Sequence, residues 1–177
     1  MRRRIGITLA LLAIALTPCS VAVGQDVRTN YMPGTGFTKY HTYKWVGIQG
    51  GAHPNQIVNA QIMQSVDSQL AAKGLTKTDT DTADLLVGYQ VAVNQEKQWN
   101  AYFMGGGIRW GGMSTATSST ISKGTLVLDM YDPATRQLVW TGTATKTLNP
   151  SSKQEKNQKN LDKAMQKLLK DFPPKQK

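Results

Sequence analysis

Two histidines, one cysteine, a run of aspartates, a set of glycines and a cluster of serines are the residues here whose chemistry could matter. His41 and His53 could act as a general base or ligate a metal. A metal site needs further His, Cys or carboxylate ligands at defined spacing, and neither histidine has them nearby in the chain. Asp79, Asp81 and Asp84 alternate with threonines as calcium ligands do. An EF-hand loop counted from Asp79 requires Gly at its sixth position and Glu at its twelfth, where this chain has Asp84 and Gln90. The run therefore reads as a solvated connector. Gly105–Gly107 with Gly111 and Gly112 could cradle phosphate, yet no Gly-Lys-Ser/Thr follows to open a helix. Ser114, Ser118, Ser119 and Ser122 lie outside any Gly-x-Ser-x-Gly elbow. The sequence thus assigns no catalytic, cofactor-binding or metal-binding residue, and the expectation is a protein that is not an enzyme.

Two features point to interaction instead. One is the aromatic set Trp99, Tyr102, Phe103 and Trp110 around the glycines, able to grip a ligand or a membrane interface if exposed, and otherwise part of the core. The other is a lysine row near the C-terminus. On a helix over 152–171, Lys156, Lys159, Lys163, Lys167 and Lys170 share an arc of about 80°, opposite Leu161, Ala164, Met165, Leu168, Leu169 and Phe172. Such a row is ordinarily a solvent face. As a functional surface it would meet anionic headgroups, a cell-wall polymer or an acidic partner.

The elements that would carry these residues are read from periodicity. A short strand is expected at 26–31 and an aromatic-rich one at 37–46, with Phe37, Tyr43 and Trp45 on one face. A helix over 55–73 has Val58, Ile62, Val66 and Leu70 at intervals of four, widened by Met63, with Asn55 as cap and Gly74 as left-handed terminator. Leu85, Val87, Tyr89, Val91 and Val93 alternate in a strand over 84–94, and 98–104 reads as a return strand. The 105–123 segment reads as a flexible Gly/Ser-rich loop. The central element is a hairpin over 124–144, whose apolar faces are Leu126, Leu128 and Met130, then Leu138, Trp140, Gly142 and Ala144. Asp132-Pro133 opens its turn. The expected fold is α+β: one domain over 25–177, an antiparallel sheet with two amphipathic helices packed on one face.

Residues 1–24 read as an export signal. Arg2–Arg4 precede an apolar run, Ile5–Leu16, too short to span a bilayer. Ala22-Val23-Gly24 offers a cleavage site that leaves Gln25 first. Leu16-Thr17-Pro18-Cys19 offers a competing route, lipidation of Cys19, which would hold the protein on a membrane. Cleavage after Gly24 removes the sole cysteine, so packing alone stabilises the fold. It also lowers the net charge from +10 to +7. A basic exported chain favours an anionic membrane surface or cell-wall polymer as partner, not nucleic acid.

The pieces in order resemble a bacterial envelope family, domain-of-unknown-function family 4136, many of whose members are lipoprotein-like. The residues that carry the resemblance are Phe37–Trp45, Gln69–Leu75, Ala83–Val87, Gly124–Asp129, Leu138–Gly142 and Phe172–Pro174. The resemblance implies an exported α+β domain and supplies no activity, cofactor or site residue. The sequence therefore leads to an exported, non-catalytic binding or structural module of the periplasm or outer-membrane surface. A periplasmic small-molecule carrier, with a pocket under the glycines and Trp99 or Trp110 as lid, is the alternative, and a hydrolase a distant third.

Overall fold

The computed structural model describes residues 25–48, 50, 54–102, 115–149 and 151–175, with side chains at 98–102 and 115–118 excepted. Six strands form one sheet: β1 (Asp26–Tyr31), β2 (Thr42–Trp45), β3 (Thr76–Lys77), β4 (Leu85–Tyr102), β5 (Thr115–Asp132) and β6 (Gln137–Thr147), in the order β1-β6-β5-β4-β2-β3. Two helices, α1 (Gln56–Ala71) and α2 (Gln154–Leu168), complete the α+β fold.

The sheet is mixed, which corrects the antiparallel expectation. The β1/β6, β6/β5 and β5/β4 pairs are antiparallel, but β2 runs parallel to both β4 and β3. Parallel neighbours cannot be joined by a tight turn; here α1 is the crossover between β2 and the strands that follow it.

Alternation along the long strands builds the core. Cross-strand rows Val87–Met130–Trp140, Tyr89–Leu128–Gly142 and Val91–Leu126–Ala144 bring the apolar positions of β4, β5 and β6 into register. Ile62, Val66 and Leu70 of α1 and Met165 and Leu168 of α2 join the same buried cluster. Aromatic rings close one end of it, Phe37 meeting Tyr31, Tyr40 and Phe172 edge to face, and Phe172 meeting Trp140. Asn55 caps α1 by accepting from the Val58 N–H, and Gly74 ends it at φ +85°.

Several boundaries move. Phe37–Lys39 is a 3-10 turn, so only Thr42–Trp45 of the 37–46 segment is strand. No return strand begins at 98, since β4 runs unbroken to Tyr102. Of the 105–123 segment, residues 115–123 are the first half of β5, paired residue for residue with β4. Leu138 leaves the apolar face because Val139 is an extra residue where Met130 pairs with Trp140 but Tyr131 pairs with Leu138. That bulge buries Val139 and exposes Leu138. Val58 and Val93 are exposed as well, the latter at 64%. Residues 103–114, with Phe103 and Trp110, lie outside the described residues, as do His53, Cys19 and the whole 1–24 segment.

Candidate interaction surface

Three carboxylates fix the frame. Asp67 on α1 accepts from the Tyr43 hydroxyl at 2.7 Å, the Trp45 indole N–H at 2.8 Å and Lys77 at 3.2 Å, tying the crossover helix to β2 and β3. Asp84 accepts from the backbone N–H groups of His41 and Thr42, both at 2.8 Å, while its own N–H donates to the Thr42 hydroxyl. Those backbone donors hold its carboxyl below the ordinary range. Asp81 pairs with Lys44. The aspartates read as a connector therefore include one residue, Asp84, that aligns the start of β2 with the start of β4. Asp132 accepts from Lys39 at 2.8 Å and the Tyr40 hydroxyl at 2.9 Å, and it caps the hairpin turn through the Ala134 and Thr135 N–H groups. The lysine bond, foremost, brings its carboxyl down to about 2. His41 contributes its backbone N–H to this frame.

On that frame α1 and α2 lie side by side, pointing the same way. Ser65 donates to Asp162 at 2.6 Å, Gln158 donates to both, and Lys73 reaches the Lys170 carbonyl one end further on. From the Ser65–Gln158–Asp162 pin towards their N-termini, the helices border an open groove of about 1200 Å³. Five glutamines (Gln56, Gln61 and Gln64 of α1, Gln154 and Gln158 of α2) line it with the charged Lys153, Glu155, Lys159 and Asp162, and its apolar residues Ile57 and Ala60 are exposed. No periodicity argument flags this cleft, because it exists only between two helices eighty residues apart in the chain.

The lysine row is where the helical wheel puts it. Lys156, Lys159, Lys163, Lys167 and Lys170 are all exposed, while Met165 and Leu168 on the opposite side of α2 are buried. The five ion pairs among the described residues use Arg28, Lys39, Lys44, Lys77 and Lys123, and none of the α2 lysines. Of the aromatic set, the backbones of Trp99 and Tyr102 belong to β4. Among the described residues no group of three or more His, Cys, Asp or Glu is disposed to hold a metal ion, and no helix is long and apolar enough to cross a membrane.

The model of the domain of unknown function DUF4136 matches residues 27–174, from β1 through the segment after α2. The chain belongs to this family. The DUF4136 match covers all of the strands and both helices just described except the first residue of β1, and it names no activity. No curated protein matches the chain. Among solved structures it is similar to a PDZ domain protein from Parabacteroides distasonis, at 14% identity and a TM-score of 0.57 over 85% of this chain, and it spans only 36% of that protein. It is also similar to PelC from Paraburkholderia phytofirmans, solved as a dodecamer, at 13% identity and a TM-score of 0.53, covering 86% of this chain and 100% of that one. At such identities the likeness is one of fold.

Proposed function

We propose that this DUF4136 chain is an exported, non-catalytic envelope protein, a binding or structural module that works in the periplasm or at the outer-membrane surface. The observation that carries the reading is the exposed lysine row along α2 and the turn after it, five like charges without an acidic partner among the described residues. Like charges at i,i+4 repel, so the row is relieved by an external anionic surface. We take both helices to cover one face of the sheet, which directs the lysines away from the core. The first two dozen residues, with Arg2–Arg4 and the apolar run, support export.

The test is sedimentation of the purified chain with vesicles containing phosphatidylglycerol and with cell-wall fragments. Binding at low salt and release at high salt is expected, since exposed charges are screened within about 8 Å at physiological ionic strength. Replacing all five lysines by glutamine should abolish it. Retention that ignores salt, or no retention at all, sinks the lysine row as the contact.

A further inference from the structure

The face of β6 that turns towards the core reads Trp140, Gly142, Ala144 and then Lys146. At the last position a charge stands where the pattern calls for an apolar residue. Lys146 lines a small cleft of about 150 Å³ with Lys163, Lys167 and Asn160 of α2 and with Gln25 just before β1. Three lysines from two elements thus line one small cleft. None belongs to an ion pair among the described residues. Of the acids near the cleft in sequence and register, Asp162 is committed to Ser65 and Gln158 and Asp26 to Arg28.

We infer that Lys146, Lys163 and Lys167, with the Asn160 and Gln25 amides, form a binding site for a single phosphate group. The inference deepens the proposed anionic contact and rests on it only for the source of the phosphate, a lipid headgroup or a soluble phosphate ester. The ligand class follows from the donors. Three lysines and two side-chain amides lining one cleft offer many N–H donors, which match a multiply charged anion with several acceptor oxygens better than a lone carboxylate. Lys146 lies across from Gly124 and beside the strand that begins at Asp26, so the site opens where the 1–24 segment joins the domain.

The experiment titrates inorganic phosphate into the purified chain at low salt and follows lysine side-chain resonances by NMR. Saturable shifts confined to Lys146, Lys163 and Lys167 are expected. Lys146→Met should weaken phosphate binding about tenfold, roughly the worth of one hydrogen bond to a charged group. Lys146→Arg should keep it, and Lys97→Met, at an exposed position of β4 outside both lysine groups, should leave it unchanged. Equal urea midpoints for Lys146→Met and the parent show that the fold is intact. If phosphate also displaces the chain from phosphatidylglycerol vesicles, the headgroup is the source; binding without displacement assigns a soluble phosphate ester. Equal phosphate affinity in all variants, or shifts that never saturate, overturns the site. Vesicle binding that persists in Lys146→Met but is lost in the five-lysine variant overturns only the headgroup source and leaves the proposed function standing.

Discussion

Asp132 takes hydrogen bonds from Lys39, Tyr40 and two N–H groups of its own turn, while its residue is only 4% exposed. Asp132→Asn keeps the shape but loses the charge that Lys39 and the amides point at. It should cost about 1–3 kcal/mol of unfolding free energy at neutral pH, read from urea midpoints. The pH dependence follows from the sign of the shift. The folded carboxyl sits near 2 against an ordinary 3.8, so its contribution is full above about pH 4 and is lost as pH falls towards 2. The gap between parent and variant should therefore close across that window. Tyr43 donates to Asp67 from a buried ring, and burial raises its hydroxyl above the ordinary tyrosine range. Tyr43→Phe removes one of the two donors to Asp67 Oδ1, which keeps the Trp45 indole N–H, and should cost about 1 kcal/mol by the same measurement. At this scale the sequence shows only what is local. Asp132 is legible as a turn residue because its backbone partners follow it directly. Its bonds to Lys39 and Tyr40, and those of Asp84 to residues 41 and 42, join positions far apart in the chain, which no spacing rule reaches.

Gly142 shows why an element can demand a particular residue. A Cβ there would run into the Trp140 ring and meet Leu168 Cδ1 of α2 at 2.8 Å. Gly142→Ala should therefore cost about 1–3 kcal/mol through overpacking between β6 and α2, measured as a lowered thermal midpoint. Both helices were legible because their apolar rows repeat every turn, and the lysine row followed from the same wheel. The strands were legible where alternation and turn chemistry agree, as at the Asp132-Pro133 corner. They were not legible where composition and pairing disagree. Thr115–Lys123 is rich in Ser and Thr and reads as loop, but it lies opposite Asn94–Tyr102, and backbone pairing with that partner makes it strand. The parallel placement of β2 was open to inference from a helix standing between two strands, a pattern that the strong hairpin overshadowed.

Across the whole molecule, β4 and β5 outrun the strands beside them. β6 pairs with β5 only as far as Lys123, and β2 pairs with β4 only through Val87. From Glu96 to Tyr102 the two strands have each other and, among the described residues, no third neighbour in the sheet. A two-stranded ribbon is marginally stable in water. Amide hydrogen exchange should accordingly be faster in 96–102 than in 85–92, with the same contrast between 115–121 and 125–131. Equal protection along both strands would show that the ribbon has found a partner, such as a second copy of the chain. Eight steps at about 3.4 Å each carry the ribbon roughly 27 Å beyond the last row it shares with β6. Lys146 of β6 stands one residue from its root row, so a molecule seated there on an anionic surface would send this paired filament along or through the surface layer. One small domain could thereby touch two depths of its surroundings at once, and its reach would be set by strand length rather than by a linker.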